Sequence, residues 1–304
     1  MVAYGVLGRF IHPNFSHPKL NHSKFSHPNF SHPKLNHSKF SSFKSFKNST
    51  IIMTSEMSLE APVKPGSLRD RLHPTITAVA NAIEQIWQSE LTLEPYQMPE
   101  DLGYVEGTLE GEKLIIENRC YQTREFRKIH LELAQVGSAL DILHCVMFPR
   151  STFALPMFGS DLVAGRGQLS MAIADLSPVM DDRALPSPYD QALSALPELV
   201  FSQERTFPSW GTIFSAHCLF VRPENAQEEA QIVTRIGDFL RLHCQQAIAL
   251  SPTEDAAEIA AIEMGQRRYC QQQLQNDKTR RVLEKAFGAD WADRYMTTVL
   301  FDVV

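Results

Sequence analysis

At 304 residues, with 43% hydrophobic and 21% charged side chains, the chain has an ordinary globular composition and enough length to bury a core. No apolar run approaches the ~18 residues of a membrane-spanning helix, and the N-terminal segment has no apolar stretch leading to a cleavage site, so neither a span nor a secretory signal is expected. The net charge of -6 is unevenly spread: residues 1–50 carry seven basic and no acidic side chains, which leaves 22 basic against 35 acidic, or -13, and argues against a general nucleic-acid binder.

The chain opens on an internal repeat. His12–Ser26 reads HPNFSHPKLNHSKFS, and His27–Ser41 reads the same fifteen residues again. Frequent proline blocks helices and sheet ladders, and the polar content cannot bury a core. Residues 1–52 are therefore expected to be a disordered extension, or translated upstream repeat ahead of a true start at Met53 or Met57. Six of the eleven histidines lie here at five-residue spacing, and the competing reading is a histidine-rich metal-binding tail. Residues 53–304 read as a single domain.

Beyond the repeat, Leu68, Leu72, Ile76, Val79, Ile83 and Ile86 recur at helical spacing. They predict one amphipathic helix over 66–90, with Pro74 kinking it or sitting in its first turn. Gly103 to Thr123 reads as a hairpin turning at Leu109-Glu110-Gly111-Glu112. Strands are expected at Lys128–Leu133, Leu140–Phe148, Leu162–Ala164, Leu169–Ala174 and Ile213–Val221, with Gly165-Arg166-Gly167 as a tight turn. The C-terminal part reads as helical. Ile232, Ile236, Phe239, Leu240 and Cys244 mark one face, and Val282, Leu283 and Phe287 mark another segment that stops at Gly288. Closely spaced strands between helical regions favour antiparallel pairing over βαβ units. The expected fold is α/β of the α+β type: a three-layer α/β/α sandwich on a central, mainly antiparallel sheet. Five cysteines, none in a C-x-x-C pair, make disulfides and a cysteine zinc site poor readings and favour a reducing cytoplasm.

No G-x-G-x-x-G follows a strand and opens a helix, and no P-loop is present. A redox enzyme on this chain would take its reducing equivalents from outside. In KIHLELA, His130 and Glu132 are two residues apart and share one strand face. In LDILHCVMF, His144 is a lone imidazole among Ile142, Val146 and Phe148; in FGSDLVAG, Asp161 stands between Gly159 and an apolar run. If these strands adjoin, two imidazoles and two carboxylates meet on one face and can pass protons near neutral pH. Two other readings stay open. Each residue is a hydrogen-bonded core polar group, or His130, Glu132 and His144 form a two-histidine, one-carboxylate metal site. Asn276, Asp277 and Lys278 head a basic stretch with Arg280, Arg281 and Lys285, read either as a solvated helix face or as a patch for an anionic ligand or partner.

The runs IIENRCYQT, FRKIHLELAQVGSALDILHCVMFP, AIADLSP, WGTIFSAHCLFVRP, NDKTRRVLEKAFG and RYMTTVLFDVV resemble the ferredoxin-dependent bilin reductases, and within them the cyanobacterial type that forms phycocyanobilin. The resemblance covers about Ser67 to Val304. It implies four-electron reduction of biliverdin IXα to phycocyanobilin by a radical mechanism, with single electrons from reduced ferredoxin and no bound metal, flavin or nicotinamide, in a monomeric cytoplasmic enzyme. By the same resemblance Asp161 is the central proton donor to the bilin, His144 shares its proton, Glu132 serves the D-ring vinyl, and His130 joins His144 through a water-linked network. Arg205, Ser170 and Lys278 are implied to bind the propionates, and Asn276 to line the pocket. A two-electron reductase of the same family is the nearest alternative, followed by a non-catalytic bilin carrier and, distantly, a metal-dependent hydrolase.

Overall fold

The structure is a computed structural model and describes residues 67–180 and 182–302. The repeat, and with it the expected extension over 1–52 and the starts at Met53 and Met57, lies outside the described residues. A 3-10 turn at Leu68–Arg71 precedes helix α1 (Pro74–Glu90), so the segment expected as one helix over 66–90 is two elements. Proline lacks the N–H that a helix interior needs, but its fixed φ suits the first helical position. There His73 caps the helix, its imidazole accepting from Thr75 N at 3.3 Å.

The sheet follows: β1 (Glu94–Pro95), the short helix α2 (Glu100–Gly103), then β2 (Tyr104–Leu109), β3 (Glu112–Gln122), β4 (Phe126–Val136), β5 (Leu140–Pro149), β6 (Met157–Gly165) and β7 (Gln168–Ser177). After helix α3 (Ser187–Ser194), β8 (Leu219–Val221) closes the far edge against β7. Among the described residues all eight strands join one sheet and every pair is antiparallel; β3 carries β4 on one edge and both β1 and β2 on the other. The β2–β3 and β6–β7 turns place both central residues at positive φ, Glu110 at 53° and Gly111 at 90°, Arg166 at 51° and Gly167 at 76°. That backbone twist matches the right-handed twist of the flanking strands.

Four helices complete the chain: α4 (Ala226–Ala249), α5 (Ala256–Leu274), α6 (Asp277–Phe287) and α7 (Ala289–Tyr295), which runs into a π-turn at Met296–Leu300. Helix α6 stops at Gly288, whose φ of 89° is the conformation glycine tolerates best. One sheet face buries Leu131, Leu143, Cys145 and Leu162 against Ile76 and Ile83 of α1 and Ile236 and Leu240 of α4. The other buries Ile116, Ile142, Val146 and Val163 in a second cluster with Ile262 of α5, Leu283 of α6 and Tyr295 of α7. This is the three-layer sandwich expected.

Two strands differ from expectation. β6 begins at Met157 rather than Leu162, so Asp161 lies within the ladder. The strand expected over 213–221 shrinks to Leu219–Val221. Asp175 on β7 accepts hydrogen bonds from Ser215 N (3.0 Å) and Ser215 Oγ (2.6 Å), so a backbone donor that a ladder would need is spent on a side chain. All five cysteines are free thiols. Among the described residues no helix is long and apolar enough to cross a membrane.

Candidate active site

Antiparallel pairing sets residues from neighbouring strands directly opposite one another, with Cβ atoms about 4.5–5.5 Å apart. Here the register places Asn118 of β3 opposite Glu132 of β4, Glu132 opposite His144 of β5, and His144 opposite Asp161 of β6. Four polar side chains thus form one row across four strands, on the face covered by α5–α7. His130 lies two residues from Glu132 on the same face of β4. The four sequence-derived residues Asp161, His144, Glu132 and His130 are brought together.

Each is almost wholly buried: His130 and Glu132 are 0% exposed, His144 2% and Asp161 4%. Buried polar groups need partners, and the row supplies them. His144 Nδ1 and Asp161 Oδ1 share a proton across 2.6 Å. Burial disfavours the Asp161 carboxylate, while the charge and hydrogen bond of His144 favour it. Asn118 donates from Nδ2 to Leu102 O at 2.7 Å, which turns its Oδ1 toward His130 Nε2 at 2.8 Å. An amide oxygen only accepts, so His130 carries its proton on Nε2. Burial, then His144 and Lys128, hold His130 well below its ordinary pKa, and the ring is neutral. The two imidazoles face each other edge to face, with centroids 5.8 Å apart. His130 Nδ1 and His144 Nε2 are buried without a hydrogen-bond partner, two polar atoms that a ligand or water would satisfy. Tyr295 of α7 closes the row from above, its hydroxyl 2.5 Å from Glu132 Oε2 and 3.0 Å from Asn118 Oδ1. Among the described residues no group of three or more histidine, cysteine, aspartate or glutamate side chains is placed to hold a metal ion, so the two-histidine, one-carboxylate arrangement does not form. The geometry is that of a buried proton-handling site.

A sequence model of the ferredoxin-dependent bilin reductases matches residues 80–302, which spans the whole row and the helices above it. The chain belongs to the ferredoxin-dependent bilin reductase family. It is 61% identical over 237 residues to a phycocyanobilin:ferredoxin oxidoreductase of a Synechococcus species, covering 78% of this chain and 96% of the relative. It is 56% identical over 230 residues to the enzyme of the same name from Trichodesmium erythraeum, covering 76% and 94%. The fold is shared with tomato phytochromobilin synthase, solved in complex with biliverdin, at a TM-score of 0.61 and 18% identity over 74% of this chain and 82% of that one.

The other residues expected from the sequence to belong to the site fall into two places. Arg205 and Ser170 meet at the β7 edge: Arg205 Nη1 donates to Ser170 O at 3.0 Å, and the guanidinium lies 5.5 Å over the Phe220 ring. Ser170 is the extra residue of a β-bulge, because Leu169 and Met171 pair with adjacent residues of β6; its hydroxyl donates to Val163 O at 3.0 Å. Asn276 and Lys278 stand at the start of α6. Asn276 is buried and its Nδ2 has no hydrogen-bond partner, whereas Lys278 is exposed. The basic stretch is not a free patch. Arg280 pairs with Asp293 at 2.8 Å, Arg281 with Asp277, and Lys285 with Glu110 at 3.2 Å.

Three residues that adjoin the row escaped sequence reasoning. Asn118 and Tyr295 complete the row, and Asp175 is a further buried carboxyl, beside the same small cavity as Asp161 and His144. Burial pushes Asp175 upward while Ser177 and Ser215 donate to it, and it tethers the segment before β8. The absence of a Cβ at Gly159 leaves room for the Tyr269 hydroxyl, which would stand 2.8 Å from one.

Proposed function

We propose that this bilin reductase carries biliverdin IXα through a four-electron reduction to phycocyanobilin, taking electrons one at a time from reduced ferredoxin and passing through bilin radicals. The observation that carries the reading is the buried row of Asp161, His144, Glu132 and His130, a set of proton carriers on one sheet face. Its subtype draws on the 56–61% identity to relatives named phycocyanobilin:ferredoxin oxidoreductase. Each electron added to a closed-shell tetrapyrrole raises its basicity, so as many protons as electrons must be supplied from groups within hydrogen-bonding reach. In this reading Asp161 is the central donor, its proton shared with His144. Glu132, two strands away, serves the vinyl end, and His130, neutral and Nε2-protonated, accepts at Nδ1.

Arg205 and Ser170 on one side and Lys278 on the other would hold the propionates, since carboxylates want cations and hydroxyl donors, with the Ser170 hydroxyl turning from Val163 O to the ligand. Asn276 offers its buried Nδ2 to the bilin pocket. The enzyme is proposed to act as a cytoplasmic monomer without flavin, nicotinamide or metal, on the ground that the sequence carries no dinucleotide fingerprint and electrons arrive from ferredoxin. The test is anaerobic incubation of the full chain with biliverdin and a reduced ferredoxin system, followed by chromatography. Phycocyanobilin is expected. A vinyl-retaining product would make this a two-electron reductase, and bound but unreduced biliverdin would make it a carrier.

A further inference from the structure

The geometry points to Tyr295 and Asn118 as a two-way hydrogen-bond switch that holds the Glu132 carboxyl in both its protonated and its ionised state. The argument begins from the fixed end. Asn118 Nδ2 is committed to Leu102 O at 2.7 Å, so Asn118 Oδ1 is an acceptor pointed into the site. It lies 2.8 Å from His130 Nε2 and 3.0 Å from the Tyr295 hydroxyl. That hydroxyl also lies 2.5 Å from Glu132 Oε2. A phenol has one proton to give and can accept one in return. With Glu132 protonated, the carboxyl donates to the Tyr295 oxygen and Tyr295 donates to Asn118. Once Glu132 has given its proton away, the same hydroxyl turns about its C–O bond and donates to the carboxylate. Both states are satisfied without moving a heavy atom, so the buried charge left after proton transfer is met at once.

The ring is held for this. Tyr295 is 0% exposed and stacks on Trp291 with centroids 4.8 Å apart. Titratable groups facing Glu132 include His130 on its own strand, His144 opposite on β5 and Tyr295 on α7, and Asp161 lies one strand further. Tyr295 and Asn118 are thus positioning residues that act through Glu132. The inference rests on the proposed role of Glu132 as donor to the vinyl, with the electrons for that step supplied by ferredoxin.

The experiment is infrared titration of the protein together with product analysis. The carboxyl band of Glu132 is identified as the one that Glu132→Gln removes. Tyr295→Phe keeps the ring but loses the donor to the carboxylate, a hydrogen bond to a charged group. The pH at which that band disappears is expected to rise by about one to two units. Vinyl-retaining product should accumulate as the carboxyl gives up its proton less readily. Asn118→Ala leaves the Tyr295 ring in place and removes the acceptor that Tyr295 uses only when Glu132 is protonated; the bond from His130 Nε2 is lost in both states of Glu132. Its midpoint is expected to move the other way, down by up to about one unit. Opposite shifts support the switch, and either variant alone reads its own half. Unchanged midpoints overturn it, as do shifts of the same sign in both variants. Normal phycocyanobilin from Glu132→Gln would instead overturn the vinyl-donor role, and the midpoints would still decide whether the switch exists.

Discussion

Replacing Asp161 by asparagine separates proton supply from shape. The carboxyl oxygen lies 2.6 Å from His144 Nδ1, and both side chains are nearly sealed from solvent, at 4% and 2% exposure. Asparagine keeps the volume and an oxygen that accepts from the imidazole, but it has no proton to give. The change turns a charge-assisted hydrogen bond into a neutral one, a loss of about 1 kcal/mol in stability, so folding and bilin binding should survive. A positioned general acid is worth roughly 10²–10⁴-fold in rate, about 3–5 kcal/mol at the barrier. The assay is anaerobic and stepwise: biliverdin-loaded protein receives reduced ferredoxin in single equivalents, followed by visible absorption, electron paramagnetic resonance and chromatography. A bilin radical should build up without onward conversion. Turnover within about tenfold of the parent enzyme would refute the assignment, because no proton donor worth 10²-fold or more would then have been removed.

Gly265 of α5 packs against the backbone after β7, and a Cβ there would stand 1.7 Å from Val179 O; Gly265→Ala should therefore lower the melting temperature by about 2–10 °C, and an unchanged value would contradict the packing. His243, on the face opposite the site, has its pKa lowered to about 3 from 6.5 by burial. The unfolded chain takes up that proton first as pH falls, so stability should drop by about 1.4 kcal/mol per pH unit between pH 6.5 and 3 through this group alone. His243→Phe should flatten the acid limb of a denaturation series by that slope, and an equal slope would count against it. Turnover at limiting ferredoxin should fall as salt rises through about 0.1 M, because ferredoxins are typically acidic and complementary surface charges are screened within about 10 Å; Arg280, Arg281 and Lys285 already pair with carboxylates, so breaking those pairs offsets part of what they would gain from a partner. A chain beginning at Met53 is expected to turn over like the full one, and a large loss of activity would give the repeat a role.

Much of the site was legible because strand periodicity is a hard constraint. His130 and Glu132 at i and i+2 had to share a face, and His144 had to stand among Ile142 and Val146. The register that sets Glu132, His144 and Asp161 side by side is a tertiary fact, fixed by the β4–β5 turn and by the strands that follow. Asp161 lay outside the expected strand because Gly159, Ser160 and Asp161 interrupt the apolar pattern, although the backbone continues through them. Asn118 was one amide within IIENRCYQT, with nothing local to mark it as a partner of Glu132. Tyr295 was harder still: it lies 177 residues from Asn118 in the chain, and only the packing of α7 on the sheet brings them together. The strand expected over 213–221 failed for a different reason, since hydrophobic alternation cannot foresee that Asp175 will claim the Ser215 backbone.

The row of polar residues also bears on how the sheet finds its alignment. Each member comes from a different strand, and side chains alternate faces. Sliding β5 by one residue against β4 would turn His144 into the layer occupied by α1 and α4 and bring Cys145 round in its place. Asp161 would lose its 2.6 Å hydrogen bond to His144, a charge-assisted contact between two buried groups whose loss costs about 1.5–3 kcal/mol. Apolar strands of β-branched and aliphatic residues penalise such slips weakly where both faces are buried, because one aliphatic side chain replaces another. The polar side chains of the row supply the discrimination that those strands lack. Substitutions that make the row apolar should therefore yield sheets that still collapse but populate more than one alignment, visible as doubled amide resonances for β5 and β6.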